Sequence, residues 1–409
     1  MINNLLILFS IIIIFYLIRG NLNHEKLFSL GLLYYFILPI FVGENKNIFN
    51  IEYFEYWFKI YGEVNFSQKL FLLIYSGLIF ISYYSGALFV KKISSKNYSN
   101  SFIKSDVITN GKLGRISSLL ITLALLAVSS IIWNESYKYF FHGYSIGYNP
   151  SLMGKMATLN ILLTVFFFLS KSKLFFFTSI ITLSLIIINS ILLLSMGGRM
   201  YVLLIAIFFL VWFFDNKKLS KKIIVIFIFI SLLLIIIGVI RSHEFSLNLL
   251  SYIALAEPVF TSFSLFSFLS NESNFHYLNI PYNFLNSFFL IFPDYDNYKE
   301  NLIIDIRDMG FDFISPLGAT SLFVSLLANF GTIGGLFFIF FFSAIIEKSK
   351  QSLDIRIRIF YTTACSIIPF MLFRDGFGII LKVLFFTGLI IPFALSFLST
   401  VLKTLKNKG

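Results

Sequence analysis

Residues 223–240 read IIVIFIFISLLLIIIGVI, an uncharged run of 18 residues set between Lys222 and Arg241. A transmembrane helix takes about 20 predominantly apolar residues, because the hydrocarbon core of a bilayer is about 30 Å thick. The run therefore reads as a membrane-spanning helix. Outward from it the same pattern repeats. The chain has 409 residues, of which 58% are hydrophobic and 13% charged, and its mean hydropathy is +0.87. Soluble globular chains are about a quarter charged, so this composition excludes that class.

Eleven spans are predicted, at Asn3–Ile18, Leu27–Val42, Leu70–Val90, Ile116–Trp133, Leu152–Ser170, Leu174–Ser195, Met200–Phe214, Ile223–Ile240, Leu317–Ile346, Ile359–Phe373 and Gly378–Leu398. The fold class is all-α: a polytopic integral membrane protein, one domain over residues 1–409. The ninth stretch is too long for a simple crossing, and Leu317 to Ala328 is expected to form a separate half-helix or a tilted entry. Met1–Ile18 lacks a basic leader and a small-residue cleavage site, and reads as a retained first span.

The loops alternate in charge. One set holds 21 of the 32 basic residues, in clusters such as Lys91–Lys92–Lys96, Lys217–Lys218–Lys221–Lys222 and Lys348–Lys350–Arg356–Arg358. Against them stand five acids, Glu25, Asp106, Asp215, Glu347 and Asp354. The other set holds 11 basic residues and 15 acids, so the balance is +16 against −4. Cytoplasmic loops carry the excess of Lys and Arg. The first set is then cytoplasmic, the N-terminus outside and the C-terminus inside. The net charge of +12 is thereby a topogenic signal, and no nucleic-acid partner is expected. The single cysteine, Cys365, excludes a disulfide framework.

The longest connection, residues 241–316, falls outside. Leu249–Phe268 and Tyr277–Phe292 within it are rich in Phe, Leu and Tyr and are interrupted by Pro258 and Pro281. Both read as interfacial or re-entrant helices over a cavity, since irregular backbone at membrane depth needs protein or water around it. Two further full spans there would raise the count to thirteen without changing the side of any later loop.

Four of the eight arginines, Arg199, Arg241, Arg307 and Arg374, fall on the outer side. The positive-inside pattern does not explain them. An anionic ligand held by guanidinium forks does. Ser195-Met196-Gly197-Gly198-Arg199 makes a tight outer turn whose glycines allow a sharp bend and exposed N–H groups. Arg199 opens the next helix, where the dipole favours an anion. A phosphate ligand and a lipid-headgroup contact both fit that turn. Arg307 lies between Asp305 and Asp308, which offer a structural ion pair instead, and Arg374 is followed by Asp375. Glu257 interrupts the apolar run Tyr252–Pro258. A carboxylate there costs free energy unless it is paired or working. It is the candidate general base, with a water-facing position on an interfacial helix as the alternative and His243 and His276 as rivals. There is no metal-ligand motif and no nucleotide-binding loop, so neither a metal nor another cofactor is expected.

The Gly197-Gly198-Arg199 turn, the Arg241-led outer loop, and Gly318-Ala319-Thr320-Ser321 followed by Ala328-Asn329-Phe330-Gly331-Thr332-Ile333-Gly334 together resemble the Wzy-type polymerases of O-antigen and capsule repeat units. The likeness covers most of Ser195 to Phe377. Before Ser195 it is hydropathy alone. Some relatives carry a carboxylate one turn before the Asn-Phe-Gly, where this chain has Ser325, so no role for an acid carries over there.

The resemblance implies a multi-pass protein of the bacterial inner membrane with its active site on the extracytoplasmic face. The implied reaction is inverting, metal-independent glycosyl transfer from an undecaprenyl-pyrophosphate-linked glycan to a lipid-linked acceptor. Membrane lipids, a chain-length regulator and a flippase are the implied partners. Arg199, Arg241 and Arg374, then Arg307, with Gly197 and Gly198, would bind the pyrophosphate, and Glu257 would serve as base or acceptor-positioning group. Asn329–Gly334 would allow close packing beside the site. An O-antigen ligase would share the donor. A flippase would carry charges inside its spans, and here the spans read as nearly charge-free.

Overall fold

The computed structural model describes residues 2–49, 51–94, 115–141, 149–170, 176–215, 247–271, 276–291 and 304–406, with single residues at 217, 225, 229, 232, 236, 237, 239 and 274. Among these the regular elements are helices. In chain order α1 is Ile2–Ile18, α2 His24–Glu44, α3 Glu55–Glu63, α4 Phe66–Ser94, α5 Arg115–Ser136, α6 Pro150–Ser170, α7 Phe176–Met196 and α8 Arg199–Phe214. Then come α9 Leu247–Ser270, α10 Tyr282–Asn286, α11 Leu322–Lys350, α12 Ile355–Ile367, α13 Met371–Arg374 and α14, which runs from Phe377–Leu381 through the wide-turn stretch Lys382–Ile390 into Ile391–Lys406. Eight of these helices are long and apolar enough to cross a membrane. The chain is a polytopic, all-helical membrane protein. Between Lys222 and Arg241, Val225, Phe229, Leu232 and Ile236 are helical and more than half exposed, a stripe at helical spacing that suits contact with lipid.

The helices share two ends. At one, His24 opens α2, and its ring nitrogens meet Tyr83 Oη at 2.9 Å and Glu347 Oε2 at 2.8 Å. Lys91, late in α4, pairs with Glu25 at 2.9 Å. Asp215, at the close of α8, lies 3.7 Å from Lys350 Nζ and accepts from Tyr361 Oη at 3.0 Å. Loops read separately as one charge class thus meet in space. The other end gathers Arg199, Glu257 and Arg374. The 16 residues of α8 join the two, about 24 Å at 1.5 Å per residue.

Three expectations are corrected. The ninth span begins at Leu322, capped by the Ser321 side chain, and breaks at Gly331 instead of dividing after Ala328. The tenth ends at Ile367, ahead of Pro369, and restarts as the one-turn α13. In the large loop, α9 continues straight through Pro258, while the second helical stretch shrinks to Tyr282–Asn286 and Ser287–Ile291. By length and composition α9 suffices to cross a membrane. Its contacts place it along one end of the bundle: Tyr252 packs on Tyr53 and Phe54, Phe266 on Trp57 and Tyr61, and Ser264 Oγ accepts from Ser321 N.

The break in α11 is a seat for the outer loop. Gly331 has φ +72°, which costs glycine little. Breaking a helix there orphans the carbonyls of Leu327 and Ala328 and the N–H groups of Thr332 and Ile333. Asn279 Nδ2 donates to both carbonyls at 3.1 Å. The carbonyls of His276 and Tyr277 accept from Thr332 at 3.0 Å and Ile333 at 3.1 Å. A Cβ on Gly331 would meet Tyr277 O at 2.5 Å. Asn329 Oδ1 then accepts from Phe284 N at 2.8 Å, fixing α10. On the neighbouring face, a Cβ on Gly86 would strike the Phe340 carbonyl, so α4 and α11 pack at backbone distance.

Candidate functional site

α9 is held at its proline by another helix. Proline has no N–H, so the carbonyl four residues back loses its helical partner. For Pro258 that carbonyl belongs to Ala254, and Tyr34 Oη donates to it at 3.2 Å. The bond brings α2 against the turn that carries Glu257. Tyr34 and Tyr35 also pack on Phe370, and Tyr35 on Phe373, in the stretch that leads to Arg374. Tyr35 Oη also touches Met200 Sδ at 3.8 Å. Three segments far apart in sequence, at Met200, Ala254 and Phe370–Phe373, therefore meet at Tyr34 and Tyr35, which sets Arg199, Glu257 and Arg374 toward one end of the bundle.

Arg374 is fixed by its main chain as well as its head group. Its carbonyl accepts from Thr320 N at 2.9 Å, which ties the segment before α11 to α13. Its Nε lies 2.5 Å from Glu257 Oε1, and its Nη1 lies 3.4 Å from Asp375 Oδ1. The Glu257 contact is close but is not aligned as a hydrogen bond, so Oε1 is buried with charge attraction as its only described compensation. Burial works against the Arg374 charge, yet Glu257 and Asp375 hold the guanidinium above its ordinary range. Burial pushes the Asp375 carboxyl up to about 6, with Arg374 opposing that rise. Counted as charged groups, Arg199 and Arg374 balance Glu257 and Asp375.

Other expected residues fall elsewhere. Gly197 and Gly198 do not offer free N–H groups, which corrects the reading of that turn. Gly197, at φ +98°, donates to Leu194 O at 3.1 Å, and Gly198 donates to Leu193 O at 2.7 Å. This double bond closes the end of α7 as a left-handed glycine cap. With both N–H groups engaged in the cap, Gly198 precedes Arg199, which opens α8. Arg307 is exposed, donates to Ser315 Oγ at 2.5 Å and stacks 5.2 Å over Phe313. Its described partners are neither the neighbouring aspartates nor the Arg374 group. His276 sits in the Gly331 seat, with its ring edge-on to Phe311 at 6.1 Å. Arg241 and His243 lie outside the described residues. No group of three or more His, Cys, Asp or Glu among the described residues is arranged to hold a metal ion.

Sequence reasoning missed Tyr34 and Tyr35, which looked like ordinary residues of an apolar span. The available signal was Pro258, which demands a donor for Ala254 from outside its own helix. It also missed the network at the far end. Glu25, Lys26, Glu347 and Lys350, which read as loop charges, and His24 beside them are 0–9% exposed. Three consecutive ionisable residues opening a span, His24-Glu25-Lys26, were the signal there.

No family model, no curated protein and no solved structure matches this chain.

Proposed function

We propose that the chain is a glycosyltransferase that polymerises lipid-pyrophosphate-linked oligosaccharide repeat units into O-antigen or capsular polysaccharide. The observation that carries this reading is the pairing of Arg374 with Glu257 at one end of a membrane bundle, the end at which Arg199 opens α8 beside the Met200–Tyr35 contact. In the proposed step a hydroxyl of the acceptor attacks the anomeric carbon of the donor. The new C–O bond forms as the bond to pyrophosphate breaks, with inversion. Glu257 accepts the hydroxyl proton, and the leaving pyrophosphate takes the electron pair. Planar guanidinium groups bind such oxygens bidentately, and donors set in place before reaction stabilise the charge that develops. The charge balance of the loops supports an extracytoplasmic site. Apolar helices on all sides suit a polyprenyl chain lying in the bilayer. The Wzy-like order of motifs supports the same reading.

The test is reconstitution. Purified protein given lipid-linked repeat units, with a chelator and no nucleotide, is expected to produce a ladder of polymer lengths. Arg199→Lys and Arg374→Lys should each lower the yield at least tenfold, because a point charge does not replace the fork. Active, folded protein that makes no ladder would overturn the reading, and so would full activity of both lysine variants. A ligase would instead need a separate glycolipid acceptor.

One observation favours a second reading, a transporter of lipid-linked oligosaccharide. The buried His24, Glu347 and Glu25, joined by the partly exposed Lys91, are the kind of charge group that marks the mouth of a transport path. Deletion in the host separates the readings. Polymerase loss leaves single repeat units on the final carrier, whereas flippase loss traps lipid-linked units inside.

A further inference from the structure

Arg374 is already occupied. Two of its guanidinium nitrogens, Nε and Nη1, face carboxylates at 2.5 and 3.4 Å. A pyrophosphate binding the same fork bidentately needs one of those edges. Asp375 is the immediate chain neighbour of Arg374 and moves with it. Glu257 comes from a different helix, so it is the group that can part from the arginine.

The cost of parting is set by what Glu257 holds. Its Oε1 is buried without an aligned hydrogen bond, so no directional bond is lost when the side chain turns away. The backbone beneath it does not move freely. Ala254 is bonded to Tyr34, and the Glu257 carbonyl accepts from Thr261 Oγ1 at 2.9 Å. Release is therefore a rotation of one side chain on a fixed helix. An incoming dianion beside Glu257 also repels the carboxylate, as like charges at close range do.

We propose that Glu257 is a latch on the anion site: it occupies Arg374 when no donor is bound, and the pyrophosphate of the donor displaces it. This rests on reading the arginine group as the pyrophosphate site. Displacement leaves a carboxylate whose cation has been taken over, beside the bond about to break. Glu257 then takes the proton of the attacking hydroxyl. When pyrophosphate departs, Glu257 gives up that proton to water and pairs with Arg374 again. Donor binding thus arms the base, and an acceptor arriving at an empty site meets a carboxylate held by arginine. Donor precedes acceptor.

The experiment measures binding of inorganic pyrophosphate to the full-length protein in lipid nanodiscs by calorimetry, alongside ladder formation. Glu257→Gln removes the competing charge and keeps the shape. It is expected to bind pyrophosphate about tenfold more tightly than the natural protein, a change of about 1.4 kcal/mol, while ladder formation falls at least a hundredfold. Glu257→Asp keeps the charge but shortens the arm, and is expected to tighten binding about threefold. It carries the test if Glu257→Gln fails to fold. Unchanged affinity in the folded variants, with binding still abolished by Arg374→Lys, overturns the latch and leaves the anion site standing. Pyrophosphate binding that is absent in every variant, or indifferent to Arg374→Lys, overturns both.

Discussion

Tyr34 does for Pro258 what an amide would do in an ordinary helix. Replacing it by phenylalanine leaves the Ala254 carbonyl unpaired, a loss of about 1–3 kcal/mol. Thermal unfolding in nanodiscs should show that loss, and Pro258→Ala should cancel most of it by restoring the amide. Equal effects of Tyr34→Phe with and without the proline would break the link between them. Asp375 provides a pH handle. Its carboxyl sits at about 6 in the folded protein, above the 3.8 of a free aspartate, so the folded state holds the proton more tightly. The Asp375 contribution therefore improves as pH falls from about 6 to about 4 and is lost as pH rises through 6. Asp375→Asn should be more stable than the natural protein at pH 7, with the advantage shrinking toward pH 4. A difference that stays flat across that range would remove the role given to burial. At this scale the sequence was legible for Glu257 and Arg374, since a charge inside or at the edge of an apolar run stands out. It was not legible for the ion pair between them, which joins positions more than a hundred residues apart.

Among the elements, α11 shows what hydropathy can and cannot resolve. The apolar run announced a helix that was too long, and the Asn329-Phe330-Gly331 pattern marked the place where something special happens. What happens is that residues 276–279 lie in the gap, bonded to four backbone groups of the helix. No periodicity reports an irregular segment docking from fifty residues away. Gly331→Ala adds a methyl against Tyr277 O and forces a residue with a side chain to φ +72°. The expected cost is roughly 1–3 kcal/mol. It should appear first as faster proteolysis within residues 271–284, ahead of any drop in global unfolding temperature. Unchanged proteolysis would mean the loop is held elsewhere. α3 escaped notice for a different reason. Glu55, Lys59 and Glu63 make it look like a hydrophilic loop, while Trp57, Phe58, Ile60 and Tyr61 are buried. The hydrophobic spacing was present, but on a helix too short to span a membrane.

At the level of the whole molecule, the two ends differ in how they handle charge. The His24 end holds two closely buried pairs, His24–Glu347 and Lys350–Asp215, with Lys91 partly exposed beside them, and the Arg374 end leaves Arg374 and Glu257 a quarter to a third exposed. By the charge rule the His24 end is the expected cytoplasmic end. Reporter fusions after Lys403 and near Lys299 are expected to place the C-terminus inside and the large loop outside. An external C-terminal reporter would remove the basis for an extracytoplasmic site. The grouping of Lys91, Asp215, Lys350 and Arg358 at one end was legible as loop charge, because topogenic signals are additive and local. Their pairing was not, since it depends on which helices neighbour one another. The docked loop has one more implication, for how such a protein diversifies. Residues 276–279 are gripped by peptide groups and a single carboxamide, and the Tyr277 side chain is left 79% exposed. Its identity is not needed for attachment. Variation can accumulate there without loosening the bundle, so a lineage can retune what this surface meets while inheriting the rest unchanged.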